Sequence, residues 1–288
     1  MPRVDVGRRP PRTMSMDAAS EPIISLENIH IGFGEEDVLA GLFLSVAARE
    51  TMILIGENGS GKTVALKLAA GLLRPDSGRV RVLGHDLCAM PEDELLDFRR
   101  EIGFVFQEGA LFDSLSVEEN VAYRLREDGT GEDEIKARVL ESLRFVEMED
   151  TIGKLPSELS GGMRRRVSIA RALVSRPPVV LYDSPTAGLD PVTAQTIIAL
   201  VMRQRDTQGV TSLLTTHRLQ DAFALANYRF DNDNGRVMHI QQNGAGGTAA
   251  TARTTLVVLR DGKAYFQGTP QEIVESKDEY LKRFLVQT

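Results

Sequence analysis

The chain has 288 residues, of which 42% are hydrophobic and 26% charged, which is ordinary for a globular protein that buries a core. Its net charge of -7 argues against a broad nucleic-acid surface, because such a surface needs an excess of Lys and Arg. The single cysteine, Cys88, excludes an internal disulfide framework and suits a reducing compartment. No apolar run approaches the roughly 20 residues that span a bilayer.

The first 22 residues are basic and proline-rich and lack the apolar segment of a secretory signal. We expect residues 1–22 to be a disordered extension, unless translation starts at Met14 or Met16. Residues 23–288 are expected to form a single domain. Any contact of this domain with a membrane is therefore predicted to be peripheral or through a partner.

The elements that follow alternate between strands and helices. A hairpin is predicted around "GEED", and "TMILIG" is predicted to be a buried strand that leads through a glycine-rich loop into a helix. Charged segments with helical spacing occupy about residues 91–175. Strand "PVVLYD", helix "PVTAQTIIALVMRQRDTQG" and strand "VTSLLTTH" come next. Such alternation predicts right-handed crossovers and a mostly parallel sheet.

The last part of the chain is less regular. An insert at about 231–253 is predicted to be a surface excursion or a partner contact, and it contains a Gly/Ala/Thr-rich loop. "RDGKAY" predicts a hairpin with an Asp-Gly turn. The chain is predicted to end in a single short helix, "QEIVESKDEYLKRFL".

The strongest chemical signal is "GENGSGKT", which fits the P-loop pattern between a predicted strand and helix. Its glycines allow successive N–H groups to surround a polyphosphate, with the helix N-terminus behind them. Lys62 can reach the β- and γ-phosphates, and the Thr63 hydroxyl can bind Mg²⁺. The predicted phosphate-binding residues are Gly56, Glu57, Asn58, Gly59, Ser60, Gly61, Lys62 and Thr63.

A second phosphate-site element is "VVLYD", a strand that delivers Asp183 to its carboxyl end. A carboxylate at this place can hold Mg²⁺ through water. The alternative is an Asp that only caps the following turn. The P-loop upstream favours the metal role.

A third element, "ELSGGMRRRVSIARAL", resembles the LSGGQ signature of ATP-binding-cassette (ABC) proteins, with Met163 at the usual Gln position. The resemblance implies an α/β P-loop NTPase fold. Such a fold has a RecA-like, mostly parallel sheet core, an antiparallel β subdomain and a helical subdomain that carries the signature. It also implies ATP and Mg²⁺ as cofactors. Ser160, Gly161 and Gly162 would contact ATP bound to the opposite subunit of a homodimer or heterodimer.

The other ABC landmarks follow in order. The resemblance implies that Gln107 contacts Mg²⁺ and the attacking water, and that Asp190 in "AGLDP" faces the other subunit. His217 matches the switch histidine, which contacts the γ-phosphate. Phe33 is either the aromatic residue that stacks on adenine or a core residue. Arg164, Arg165 and Arg166 are expected to form a solvated, partly salt-bridged face, because consecutive helix residues point in different directions.

Ser184 occupies the position at which the family places the catalytic Glu. A serine is uncharged near neutral pH and too short to act as an equivalent base. Three interpretations remain open at this point. Turnover is slow, with His217 and Gln107 orienting water; or the subunit is a degenerate half of a heterodimer; or the serine is an introduced or erroneous residue. We expect ATP binding with weak intrinsic hydrolysis.

The stretch "FVFQEGALFDSLSVEENVAYRLRE" resembles that of Mce/Mla-type ATPases, which power lipid traffic between membranes. This resemblance implies an integral membrane permease and an Mce-domain lipid-binding protein as partners, with the chain on the cytoplasmic face of the cell membrane. No nucleic acid is expected as a partner. The alternatives are a different ABC importer, a regulatory ABC subunit, and a non-transport ABC ATPase of DNA repair or translation.

Overall fold

The computed structural model describes residues 21–240 and 253–287. Most of the predicted N-terminal extension and the Gly/Ala/Thr-rich part of the predicted insert therefore lie outside the described residues. Strands β1 to β12 of this part are Ile24–Phe33, Glu36–Val46, Thr51–Ile55, Ser77–Val82, His85–Asp86, Ile102–Val105, Val179–Asp183, Thr211–Thr215, Tyr228–Asp231, Arg236–His239, Thr254–Arg260 and Lys263–Gly268.

Helices α1 to α9 of the same part are Lys62–Ala69, Glu92–Phe98, Val117–Glu127, Glu132–Phe145, Gly161–Leu173, Pro191–Gln208, Leu219–Asn227, Pro270–Glu275 and Glu279–Gln287. Short 3-10 turns occupy Arg99–Glu101, Glu149–Thr151 and Pro156–Glu158. Within the described ranges, no helix is both long enough and apolar enough to span a bilayer.

A six-stranded sheet forms the centre of the fold, in the order β12-β11-β3-β8-β7-β6. All its neighbouring strands are parallel except β11 and β12, so the predicted α/β class with a mostly parallel sheet is confirmed. In this register Asp183 lies opposite Thr215, and Thr215 lies opposite Leu54. The carboxyl ends of β7, β8 and β3 therefore meet at one edge of the sheet, where ligands of such sheets bind.

Apolar side chains cover both faces of this sheet, as expected for parallel strands. In β3, Ile53 and Ile55 pack on the side of α3 to α9, whereas Met52 and Leu54 pack on the side of α1, α2 and the second sheet. The second sheet is antiparallel, in the order β2-β1-β4-β5. It includes the hairpin that the sequence predicted around "GEED".

The predicted helical range of about 91–175 contains α2 to α5 and also strand β6, which pairs with β7 at the edge of the central sheet. This strand has only four residues, and two of them are half-buried. Such a short run gives no alternation that separates it from the helices on either side. The predicted insert begins at Asp231, the last residue of β9, and β9 and β10 form a small antiparallel sheet of their own.

At the C-terminal end, the Asp-Gly hairpin is confirmed, because Asp261 and Gly262 both have positive φ, at 49° and 69°, between β11 and β12. The prediction of a single final helix was wrong. The chain leaves the helix at Ser276, and Asp278 then caps α9 by accepting a hydrogen bond from the Leu281 N–H at 2.9 Å. The hydroxyl of Tyr265 in β12 donates to the other oxygen of Asp278 at 2.8 Å, which fixes this break against the sheet.

We expect Gly209→Ala to lower the free energy of unfolding by about 1 kcal/mol, because Gly209 ends α6 with a left-handed φ of 61°. An added Cβ would also lie 3.2 Å from Nε of Arg49. Chemical denaturation measures the loss. Gly153→Ala is the matched control, since that glycine has no left-handed φ and none of the described atoms would lie within 4 Å of its Cβ. Equal losses in the two variants would contradict the prediction.

Candidate nucleotide-binding site

The loop between β3 and α1 surrounds the ammonium group of Lys62. Its Nζ donates hydrogen bonds to the carbonyl oxygens of Gly56 at 2.9 Å and Glu57 at 2.7 Å, and to Oγ of Ser60 at 3.3 Å. Lys62 is 8% exposed, and this burial lowers its pKa, an effect that the charge of Asp183 opposes. The ammonium group of Lys62 is therefore held in place by the backbone of the loop.

Two glycines of this loop allow the backbone to pass where a side chain would not fit. Gly61 has φ 93°, and a Cβ there would collide with the Leu39 side chain. Gly56 has φ 156°, and a Cβ would lie 2.5 Å from the carbonyl oxygen of Leu259. Helix α1 begins after Gly61 without a side-chain cap, so its first N–H groups remain available to an anion.

Asp183 ends β7 and is 6% exposed. Its Oδ1 accepts hydrogen bonds from the hydroxyls of Thr63 at 3.0 Å and Thr215 at 2.8 Å. Thr63 and Asp183, both predicted as Mg²⁺ ligands, are therefore in direct contact. Thr215 was missed, although "LLTTH" ends a strand parallel to "VVLYD" and so brings its last residues to the same edge.

The oxygen atoms of Thr63 and Asp183 fit Mg²⁺, which prefers hard oxygen ligands. The described residues contain no His, Cys, Asp or Glu cluster that would hold a metal alone. A Mg²⁺ ion here would thus be held jointly by these protein oxygens and by nucleotide phosphates, whose charge it would neutralise. Gln107, the third predicted ligand, lies in the same cleft and has no hydrogen bond to Thr63 or Asp183.

The P-loop opens into a cleft of about 610 Å³. This cleft brings together residues that the sequence separates by more than half of the chain. Its lining residues are Phe33, Glu36, Val38, Asn58, Gly59, Gly61, Lys62, Thr63, Val64, Gln107, Ser184, Ala187, Gly188 and His217.

Phe33 lines this cleft and is 53% exposed. The core alternative for Phe33 was therefore wrong. Glu36 pairs with it across the turn between β1 and β2. An exposed aromatic ring at the mouth of a phosphate-binding cleft can stack on a nucleotide base.

Ser184 also lines the cleft and has a left-handed φ of 44°. Its N–H donates to Oγ1 of Thr215 at 2.9 Å, and its own Oγ lies 3.4 Å from the same atom. Glu36 is the single carboxylate among the described lining residues, and it pairs with Phe33 across the turn between β1 and β2. Apart from Glu36, no described lining residue carries a carboxylate that could replace the missing base.

His217 follows β8 and is exposed to the cleft. The turn that carries it is held by Asp221, a buried residue that the sequence analysis missed. The hydroxyl of Thr216 donates to Asp221 Oδ2 at 3.3 Å, and the hydroxyl of Thr186 donates to the same oxygen. Burial raises the pKa of Asp221, although these hydrogen bonds and Arg218 oppose the shift. Asp221 lies in the first turn of α7, where acidic residues are common, so its position gives no sequence signal of such burial.

The signature residues are not part of this cleft. Ser160 caps α5, and its Oγ accepts from the Met163 N–H at 3.3 Å. Asp190 caps α6, and its Oδ1 accepts from the N–H groups of Val192 and Thr193. These hydrogen bonds lower the pKa of Asp190, first through the contact with Thr193. Both side chains are exposed on the surface outside the cleft of their own chain.

Arg165 contradicts the expectation of a solvated arginine face, since it is 5% exposed. Arg164 and Arg166 are half-buried and donate to backbone carbonyls. In the described ranges, no carboxylate forms a salt bridge with any of the three. The expectation was wrong because the direction in which a side chain leaves a helix does not show which loops cover that side chain.

A family model described as "ABC transporter" matches residues 39–187, which is more than half of the chain and includes the P-loop, the signature and Asp183. The chain belongs to the ABC transporter family. Its α/β fold and its nucleotide-binding cleft are those of an ATP-binding cassette of this family.

Two kinds of relative differ in how much of the chain they match. The methionine import ATP-binding protein MetN of Rhizobium johnstonii is 38% identical over 78% of this chain and 62% of its own length. The MlaF protein of Haemophilus influenzae, the ATP-binding protein of an intermembrane phospholipid transport system, is 29% identical over 92% of this chain and 91% of its own length. The chain thus spans about three-fifths of the first relative and almost all of the second.

Solved structures of ABC cassettes resemble this one. A dimeric cassette in a post-hydrolysis state, bound to ADP and Pi, has a TM-score of 0.70 and 29% identity over 85% of this chain and 98% of its own. The cbiO1 protein of Clostridium perfringens has a TM-score of 0.73 and 26% identity over 92% and 96% of the two chains.

We expect Thr215→Val to lower the free energy of unfolding of the cassette by about 1–2 kcal/mol, because Asp183 loses one of its two hydroxyl donors and the Ser184 N–H loses an acceptor. Chemical denaturation measures this loss. Thr207→Val is the control, since the exposed hydroxyl of Thr207 bonds only within α6. A loss no larger than in the control would contradict the assigned hydrogen bonds.

Proposed function

We propose that the chain is the ATP-hydrolysing subunit of an ABC transporter. The observation that carries the proposal is the meeting of Lys62, the Thr63–Asp183 pair, Gln107 and His217 around one cleft. Lys62 and the N–H groups of α1 would bind the phosphates. Gln107 and His217 would orient the attacking water and stabilise the charge that develops on the γ-phosphate.

Hydrolysis by this subunit is proposed to be weak. Asp183, the residue before Ser184, already accepts hydrogen bonds from two hydroxyls, and Glu36 is the single carboxylate among the described lining residues, so we propose that the water has no dedicated base to receive its proton. Binding should depend little on that carboxylate, because the P-loop contacts are intact. A second candidate function therefore follows from Ser184: a regulatory subunit that binds ATP while a partner ATPase cleaves it.

The active arrangement is proposed to be a head-to-tail dimer, either of two copies or with a second ABC ATPase. The support is that Ser160 and Asp190 are exposed outside the cleft of their own chain. Residues in such a position are available to complete a nucleotide site on another subunit. A dimeric state is also recorded for the post-hydrolysis cassette that resembles this chain.

A permease is proposed to bind at a groove of about 300 Å³ beside the Gln107 loop. The groove combines aromatic rings with guanidinium groups, and Phe112 and Tyr123 at its wall are exposed. Such a mixture is typical of protein interfaces. Docking there would place the chain on the cytoplasmic face of the cell membrane through its partner. The lining residues include Arg99, Arg100, Phe104, Phe106, Phe112, Tyr123, Arg124 and Arg171.

Lipid is proposed as the transported substrate, with an Mce-domain protein as a further partner. The support is that the phospholipid-transport relative matches over almost the full length of both chains. The methionine-import relative is more similar in identity but leaves more than a third of its own length unmatched. Import of a small polar solute is the competing assignment.

We expect Ser184→Glu to raise the steady-state rate of ATP hydrolysis by roughly 10²–10⁴-fold, because it restores a general base. Ser184→Ala is the matched control and should leave the rate unchanged, since the serine hydroxyl does not act as a base. Lys62→Ala gives the background without phosphate binding. Phosphate release from γ-labelled ATP measures all four chains. Equal rates for the natural chain and Ser184→Glu would contradict weak hydrolysis caused by Ser184.

The lipid assignment is tested on the complex purified from its native membranes through a tag on this chain. We expect added phospholipid to raise ATP hydrolysis by the complex and L-methionine to have no effect. The same complex with Lys62→Ala shows which hydrolysis belongs to this subunit. Stimulation by methionine alone would replace the lipid assignment with amino-acid import.

A further inference from the structure

The guanidinium of Arg165 connects two loops of the cassette that are distant in sequence. Its Nη1 donates to the carbonyl oxygen of Phe106 at 2.8 Å, and its Nη2 donates to that of Ala187 at 3.4 Å. Phe106 directly precedes Gln107, and the N–H of Ala187 donates to the carbonyl oxygen of Ser184 at 3.0 Å. One buried side chain of α5 thus touches the segments that carry two proposed catalytic-site residues.

The two carbonyl groups that accept from Arg165 belong to residues that line different surface cavities. Phe106 lines the groove that we propose for the permease, and Ala187 lines the nucleotide cleft. A second arginine of α5 also holds the Gln107 loop, because Arg171 donates to the carbonyl oxygens of Gly109 and Ala110. Only Arg165, of these two, also reaches the turn after Asp183.

Burial of the Arg165 guanidinium costs desolvation free energy, which an apolar side chain at the same place would not cost. Desolvation lowers the pKa of the Arg165 guanidinium, and the charges of Glu108 and Asp183 oppose that shift. The described residues provide no salt-bridge partner for it, so backbone carbonyls are its hydrogen-bond acceptors. An apolar side chain would fill such a place without desolvating a charge, which points to a role for the hydrogen bonds themselves.

The neighbouring arginine of α5, Arg166, can be compared with Arg165. Arg166 donates to the carbonyl oxygens of Val146 and Glu147, which follow α4. These contacts stay within the helical part of the chain and reach neither the cleft nor the Gln107 loop. Arg166 therefore carries the same guanidinium group as Arg165, but its hydrogen bonds connect different segments of the chain.

We propose that Arg165 is a positioning residue, which sets the Gln107 loop relative to the turn after Asp183 so that Gln107 and the Ser184 segment face the same water. This inference rests on the proposed ATPase function. It assigns no contact with ATP to Arg165 itself. Removal of the guanidinium should therefore reduce the rate of the chemical step and leave nucleotide affinity nearly unchanged.

The test uses the full-length chain with Arg165→Gln, Arg165→Lys and the matched control Arg166→Gln, each also combined with Ser184→Glu to raise the signal. We expect Arg165→Gln to lower kcat by roughly 10- to 100-fold, since small displacements of positioned groups have effects of that size. The dissociation constant for MgATP should change by less than about threefold. Arg165→Lys should restore part of kcat, because an ammonium can donate to one of the two carbonyls. Arg166→Gln should match its parent.

Amide hydrogen exchange separates positioning from general stability. Arg165→Gln should raise exchange both at residues 104–109 and at residues 184–189, with little change in the rest of α5. Unchanged kcat, an equal loss in Arg166→Gln, or faster exchange throughout α5 would overturn the proposal. If Ser184→Glu hydrolyses no more ATP than Lys62→Ala, the proposed ATPase function fails. The exchange pattern then still decides whether Arg165 holds the two loops.

Discussion

The nucleotide site depends on one shared acceptor, the Oδ1 atom of Asp183. Hydroxyls from Thr63 and Thr215 both donate to it, so one carboxylate ties the P-loop helix to the ends of β7 and β8. This arrangement is possible because three neighbouring parallel strands end at the same edge of the sheet. The same contacts hold the oxygens of Thr63 and Asp183 close together, in a geometry that suits a hard cation.

At that edge of the sheet, different residues are proposed for phosphate binding and for ATP cleavage. Lys62 is enclosed by the P-loop and the uncapped end of α1 faces the same space, so phosphate binding is built from the backbone. We propose that cleavage lacks a base at the position of Ser184, where the backbone has a left-handed φ of 44°. In the proposed function, a hydroxyl in place of the carboxylate leaves the P-loop contacts in place and removes the proton acceptor.

Helix α5 connects the separate surfaces of the cassette. Its N-terminus carries Ser160, which is exposed away from the cleft, and its middle carries the buried Arg165, which bonds the Gln107 loop and the turn after Asp183. Its last turns carry Arg171, beside the proposed permease groove. This one helix therefore contacts the surface proposed for a dimer partner, the nucleotide cleft and the groove proposed for a permease.

The sequence by itself determined the fold class, the P-loop, the place of Asp183 and the family, because these depend on short contiguous patterns: glycines at fixed spacing, apolar strands and strand ends. The hairpin turn at Asp261 was readable for the same reason. The tertiary structure decided what depends on packing between distant segments. It exposed Phe33, buried Arg165, added Thr215 to Asp183 and broke the last helix at Asp278. Burial and hydrogen-bond partners across a sheet edge are set by the neighbouring elements, and no local pattern in the chain contains them.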